Sequence, residues 1–305
     1  MSRAALDLDM VQSALSQQIT KLESELATRL LHRSPQGVTP TEAGLAFYRE
    51  AQLTLRHADQ AVRAAQQARL SGSVTVGLAP TTSAVLGLPL MLAMRTRYPD
   101  VRLHMVESMS GHLGDMLNAR QLDLAVLFDS RRYLQDTSAD KRRWQVQALL
   151  EEDLYLIRAR RTPAPSLPNP LPHTLRMTAL KNEPLILPTG SHGLRSTLDA
   201  AFARANLVPQ VVMEVDSLSM LMAAVDAGMG ATVQPWAALG RHPDAAQRFE
   251  IARIADKQVQ RVNLLCSLSE DELSPAALAA RVVLKDCVKS LIQTQAWTGA
   301  RLQTD

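Results

Sequence analysis

The sequence of 305 residues is short of the features that betray a catalyst or an exported protein. It has only two cysteines, Cys266 and Cys287, far apart and without metal-type spacing. Neither a structural disulfide nor a zinc site is expected from them, and two free thiols are the default. No His-Glu-x-x-His, Cys-x-x-Cys, Gly-x-Ser-x-Gly or phosphate-loop pattern occurs. Gly228-Met229-Gly230 precedes a strand-like run instead of following one, the reverse of a dinucleotide fingerprint. It reads as a helix end closed by a left-handed glycine. The scattered histidines lack ligand spacing. These absences argue against an enzyme, a cofactor and a metal.

Other absences bear on location and partners. Arg3, Asp7 and Asp9 stand where the apolar core of a secretory signal would lie. Val74 to Met94 carries no charge, yet Pro80, Pro89 and Thr81-Thr82-Ser83 interrupt it, so a strand-turn-helix explains it better than a membrane span. A cytoplasmic protein with no membrane partner is expected. Net charge is only +3, with 46% hydrophobic and 21% charged residues, ordinary for a globular chain. Up to Leu70 the charges nearly balance. Any binding to nucleic acid must therefore rest on where Lys21, Arg29 and Arg33 sit, not on bulk charge.

What is present begins near the N-terminus. Leu15, Ile19, Leu22 and Leu26 form one apolar stripe of a helix. The opposite face carries Gln12, Ser13, Ser16, Gln17 and Thr20, short uncharged donors and acceptors suited to base edges in a major groove. An ordinary amphipathic helix with a polar outside is the bland alternative. Leu30 to Arg33 and Gly37 to Thr39 are short β-prone runs around the turn Ser34-Pro35-Gln36-Gly37. That is a wing, with Arg33 and Gln36 placed to reach phosphates. Thr39-Pro40-Thr41-Glu42 then reads as a capping box with Thr39 as cap, and Thr41 as a further phosphate contact. From there Phe47, Ala51, Leu55, Ala58, Val62 and Ala65 recur at helical spacing, without Gly or Pro until Gly72. This predicts a long helix that buries its stripe against another, most simply its copy in a dimer.

Ser71-Gly72-Ser73 breaks the helix as a hinge. Beyond it Val74–Leu78, Val101–Val106 and Leu122–Phe128 alternate as strands with helices at Ala84–Arg97 and Leu113–Ala119. The order argues for a parallel, doubly wound sheet. A second set echoes the first. Leu185-Ile186-Leu187-Pro188-Thr189 matches Val76 to Thr81 in type, and the strands Val101–Ser108 and Val211–Ser217 both end in an acidic residue and Ser. We read two similar α/β subdomains, one inserted in the other, with Thr162 to Pro172 a Pro-rich surface connection. Leu264–Leu268 and a helix from about Ser274 return the chain to the first.

The N-terminal segment, through Leu30-Leu31-His32-Arg33 and Val38-Thr39-Pro40-Thr41-Glu42-Ala43-Gly44, resembles the DNA-binding end of a LysR-type transcriptional regulator. Gly77-Leu78-Ala79-Pro80, Leu122 to Leu127, Glu152 to Leu156 and Ala227 to Val233 are most similar to the nitrogen assimilation control branch of that family. The resemblance covers nearly the whole chain. It implies an α/β protein: a winged helix-turn-helix, a linker helix, then a two-lobed doubly wound effector domain of periplasmic-binding-protein type. The expected divisions are 1–40 for the DNA-binding unit and 41–70 for the linker helix. Effector subdomain I would take 71–150 and 256–305, and subdomain II 151–255. A homo-oligomer, dimer or tetramer, on promoter double-stranded DNA is implied, with RNA polymerase as a further partner.

The resemblance also implies a helix ahead of Ser2. The written chain begins inside the second helix, so the unit is read as truncated and Met1 as an internal methionine. Val11, Ser13 and Gln17 depart from the family pattern at the recognition-helix entry. Val11 is a poor N-cap, and Gln17 offers an amide where Arg would favour guanine, so altered base preference is expected. In doubly wound sheets ligands sit beyond the C-terminal ends of strands. Thr81, Thr82, Ser110, Phe128, His192 and Thr232 are the effector candidates, with Arg195 as an anion partner; the family branch lowers the expectation of a required small-molecule effector. The alternative function is a small-molecule-binding α/β protein whose truncated DNA unit no longer works.

Overall fold

The computed structural model describes residues 2–7, 10–34, 37–66, 70–128, 144–160, 167, 170–190, 193–240, 242, 244–256, 259–270 and 272–303. The chain divides into two compact units, Met1–Gln66 and Gln67–Asp305.

In the first unit, helix α1 (Ser2–Asp7) precedes α2 (Gln12–Glu25). Val11 stands at the α2 N-cap without a side-chain cap bond, since it has no acceptor to offer. Leu15, Ile19 and Leu22 are half-buried, whereas Leu26 lies past the helix end and is exposed. The helix closes through Ala27, which takes a left-handed φ of 48°, and Thr28 N–H donates to Glu23 O. Strands β1 (Leu31–Ser34) and β2 (Gly37–Pro40) then pair antiparallel, Leu31 opposite Pro40. Helix α3 (Glu42–Gln66) follows.

The cap of α3 is a correction to the expectation. Thr41, not Thr39, accepts the Gly44 N–H at 2.9 Å, and the helix starts at Glu42. Thr39 and Pro40 are held in β2. The Thr41 N–H donates to Leu30 O, and its hydroxyl donates to Arg29 O. Gly44 lies against the Leu30 backbone so closely that a Cβ there would collide with the Leu30 carbonyl.

The second unit starts with β3 (Gly72–Leu78), α4 (Pro80–Arg97), β4 (Val101–Glu107), α5 (Ser110–Asn118) and β5 (Leu124–Phe128). β3 runs parallel to both β4 and β5. The long β6 (Trp144–Ala159) follows, then β7 (Thr174–Leu175), β8 (Pro184–Leu187), α6 (Gly193–Arg204), β9 (Gln210–Glu214), α7 (Leu218–Asp226) and β10 (Thr232–Pro235). β11 (Phe249–Ile254), β12 (Gln260–Leu268), α8 (Pro275–Gln293) and β13 (Ala300–Leu302) complete the chain. β8 and β9 are parallel, joined through α6 as β3 and β4 are through α4. The internal echo in the sequence is this repeated β-α-β unit. Gly228, with φ 76°, closes α7.

The sheet is mixed, not wholly parallel. β12 is antiparallel to both β5 and β6, and β10, β11 and β13 are antiparallel to β6. The two crossing strands, β6 and β12, return the chain between lobes and so must oppose one another. Residue 150, an expected subdomain boundary, falls inside β6. Glu151 to Asp153 stand opposite Gln260 to Val262, and a bulge leaves Leu149 extra between Asn263↔Leu150 and Leu264↔Ala148. Beyond Asp153 both faces of β6 are covered. Leu154 and Leu156 join the core with Leu198 and Phe202; Tyr155 and Ile157 join that with Leu221 and Phe249. A third core gathers Leu113, Leu117, Leu127, Phe128 and Trp144 in the first lobe. Most of the 162–172 connection lies outside the described residues. No helix among the described residues is long and apolar enough to cross a membrane.

Candidate nucleic-acid interface and interlobe cleft

On α2, Gln12, Ser13, Gln17 and Thr20 are exposed, and Ser16 is half-buried. Their exposure presents this polar face outward. Arg33 on β1 reaches back to it. Its Nη1 donates to Ser16 Oγ at 2.7 Å and its Nη2 to Thr20 Oγ1 at 3.2 Å. The Thr20 hydroxyl in turn donates to Ser16 O. Ser16, Thr20 and Arg33 are thus one constellation, although the sequence assigned Arg33 to phosphates and the other two to bases. Thr41 is likewise committed as a helix cap, which uses both its hydrogen and a lone pair. Gln36 lies outside the described residues.

Glu23, which the sequence reading did not single out as a site residue, ties the wing to α2. Its Oε1 accepts the Leu30 and Leu31 N–H groups at 2.8 and 3.0 Å, and its Oε2 lies 4.0 Å from Arg33 Nη2. The two backbone donors, from Leu31 first and then Leu30, hold its carboxyl below the ordinary glutamate range.

The second site is the cleft between the lobes. Thr81, Phe128, Pro188, Asp216, Gln234 and Arg261 are among its lining residues, and the cavity measures about 40 Å³. That is room for a few water molecules. Arg261 is the cation here, and its guanidinium carbon lies 3.6 Å from the Phe128 ring centroid. Its Nε and Nη2 donate to Glu152 Oε2 at 2.9 and 2.8 Å, and Nη2 donates also to Thr81 Oγ1 at 2.6 Å. Asn263 Nδ2 adds a third donor group to Glu152 Oε2, and Trp297 Nε1 donates to Oε1 at 2.7 Å. Thr82 donates to Asn263 Oδ1 at 3.2 Å.

Of the expected effector residues, Thr81 and Phe128 line the cleft, whereas Thr82 and Ser110 are buried and are not among its lining residues. Ser110 Oγ accepts the Phe128 N–H, fixing the end of β5. Thr232 is fully buried, its hydroxyl unpartnered among the described residues; Gln234, two residues on and on the same side of β10, is the one that lines the cleft. Arg195 is a correction. It donates to Asp199, Glu214 and the Pro188 carbonyl, so its charge is already opposed and its pKa is raised, first by Asp199 and then by Glu214. His192 lies outside the described residues. Arg261, Glu152 and Asn263 escaped the sequence reading. The one available signal was that Arg261 is the single charged residue from Val259 to Leu268.

A winged helix-turn-helix unit followed by a two-lobed, cleft-bearing α/β unit is the make-up of a DNA-binding regulator. Residues 1–45 match the bacterial regulatory helix-turn-helix protein model, lysR family, and residues 67–287 match the LysR substrate binding domain. The chain belongs to the LysR family of transcriptional regulators, and its relatives are regulators, not enzymes. It is 35% identical over 291 residues to the nitrogen assimilation regulatory protein nac of Klebsiella aerogenes, covering 94% of this chain and 90% of that protein. The nac protein of Escherichia coli K12 is 32% identical over 301 residues, covering 97% and 93%. Full-length OxyR C199D from Pseudomonas aeruginosa shares the fold with a TM-score of 0.69 at 22% identity, covering 94% of this chain and 91% of that one. Full-length CbnR complexed with its target DNA gives 0.57 at 20% identity, covering 94% and 93%.

Proposed function

We propose that this regulator binds promoter double-stranded DNA as a homo-oligomer and governs nitrogen-related genes. The carrying observation is the outward face of α2, on which Gln12, Ser13, Ser16 and Gln17 offer uncharged donors and acceptors beside a wing. Such groups match base edges, while Lys21 and Arg29 supply charge for phosphates. The nac names of the relatives support the nitrogen assignment. Leu45, Tyr48 and Leu55 share one exposed face of α3, 45%, 59% and 68% accessible, which suits pairing with a second copy into a dimer and then a tetramer. The functional divisions are a DNA-binding part to residue 40, a linker helix to 70, and two effector lobes beyond. The protein works in the cytoplasm, with RNA polymerase as a partner at the promoter.

The cleft adds a control element for a small anionic effector. Arg261 lines it with its Nη1 unbonded among the described residues, and Asp216 and Gln234 face the same space. The present cavity is too small for an amino or aromatic acid, so such a ligand requires the lobes to part.

Titration of the full chain against a selected and a scrambled duplex at several salt concentrations tests the first reading. A clear preference for the selected duplex, with genomic footprints at nitrogen-acquisition promoters, is the expected result. Equal binding to both duplexes defeats it. For the cleft, thermal shifts are measured with inorganic phosphate, amino acids and aromatic acids. Stabilisation by an anion that is lost in Arg261→Gln and kept in Arg195→Gln supports the assignment.

A further inference from the structure

We infer that Arg33 is a specificity-positioning residue, which orients the Ser16 hydroxyl to donate to an acceptor on a base edge. This rests on the DNA-binding reading above and departs from the simpler role of a phosphate clamp. A serine hydroxyl has one hydrogen to give and two lone pairs to accept with. In Ser16 a lone pair accepts from Arg33 Nη1, the nitrogen 2.7 Å from Oγ, and the hydroxyl makes no other hydrogen bond among the described residues. Its own hydrogen must point away from the guanidinium. A hydroxyl that accepts from a cation is polarised into a stronger donor. The adjacent positive charge also repels the amino hydrogens of cytosine and adenine. What remains favourable in a major groove is an acceptor, with guanine O6 and N7 the richest site.

Thr20 completes the device. Its hydroxyl donates to Ser16 O and accepts Arg33 Nη2, so both its hydrogen and a lone pair are spent inside the protein. It steadies the guanidinium and does not read a base, although the sequence placed it on the reading face. Glu23 holds the strand that carries Arg33 by accepting from Leu30 and Leu31, and its second oxygen lies 4.0 Å from Arg33. The planar guanidinium can bridge two hydroxyls at once. An ammonium, a single point charge on a flexible stem, does not hold that geometry.

The test uses the full chain and a duplex recovered by wild-type selection from a random library. Affinities for it and for a scrambled duplex are measured over a salt series. Ser16→Ala and Arg33→Met should each weaken the selected duplex about ten-fold while changing the scrambled one less than about three-fold, and the double variant should be no worse than either single. Arg33→Lys should keep the salt slope yet lose the same preference. At one position of the site, removing the guanine acceptor, N7 by 7-deazaguanine or O6 by 2-aminopurine, should cost the wild type about ten-fold and Ser16→Ala nothing. Thr20→Val, which removes only the bridging hydroxyl, should move in the same direction and serves if Arg33→Met disturbs folding. Equal weakening of both duplexes by Arg33→Met, a salt slope reduced by about one, and additivity with Ser16→Ala overturn the inference and restore the phosphate role. Full preference in Arg33→Lys overturns it too. A wild type that selects no sequence is a separate result, which removes the DNA reading itself.

Discussion

The indole of Trp297 donates its N–H to Glu152 at 2.7 Å, and that carboxylate also holds Arg261 at the cleft. The two side chains are 1% exposed, so the last turn of chain before β13 is fastened to the strand that joins the lobes. Three further donors, from Arg261 and Asn263, complete the carboxylate's shell.

Breaking that shell should be costly. Trp297→Phe removes one donor to a buried charge and should destabilise the second unit by about 1.5–3 kcal/mol. Glu152→Gln leaves Arg261 without its counter-charge and should cost about 3–5 kcal/mol. Urea unfolding followed by far-UV circular dichroism measures both, and a Glu152→Gln protein as stable as wild type would refute the arrangement.

Acid should loosen the wing. Glu23 has a folded pKa below its unfolded value, because Leu31 and Leu30 donate to its charged form. Its contribution is therefore complete above the ordinary glutamate range and is lost as pH falls through the depressed folded value. The Leu30 and Leu31 amide proton resonances should titrate together below the ordinary range, and Glu23→Gln should abolish that titration.

The entry to α3 should tolerate little change. Thr41→Ala deletes the cap on Gly44 N–H and should cost about 0.5–2 kcal/mol. Gly44→Ala must push the Leu30 carbonyl aside and should cost about 1–3 kcal/mol. Thr39→Ala, outside the cap, should be milder than Thr41→Ala. Thermal melts of the three variants give the order, and a Thr39 effect larger than that of Thr41 contradicts the assignment.

One substitution should stabilise. Ala27 carries a φ of 48° at the close of α2, a conformation in which a Cβ is strained by about 1–2 kcal/mol. Glycine recovers that strain and returns about 0.4–1 kcal/mol through greater freedom of the unfolded chain. Ala27→Gly should raise the melting temperature of the first unit by a few degrees, and a fall would count against the left-handed geometry.

Local patterns carried the architecture. The stripe through Leu15, Ile19 and Leu22, the short β-runs flanking a turn, and the paired strand-helix-strand echo are each set by neighbours within a few residues. They disclosed the fold class. The cap of α3 did not yield to the same logic, because Thr39 and Thr41 both fit a capping pattern and the choice is made by Leu30, nine positions before Thr39. Arg195 was legible in part: Asp199 stands four residues on in the same helix, whereas Glu214 comes from β9. Arg261 and Glu152 are separated by 109 residues and meet only because β6 and β12 pair. Nothing within either segment announces the other. The bond from Arg33 to Ser16 is of the same kind, between a wing and a helix that folding alone brings together.

The extra residue Leu149 in β6 has a mechanical meaning. An unmatched residue bends its own strand and tightens the local right-handed twist. β6 and β12 therefore turn relative to one another at the level of Leu149 and Asn263, and Arg261 stands two residues from that level on the companion strand. The bearing of its side chain is thus set in part by one surplus residue on the strand opposite.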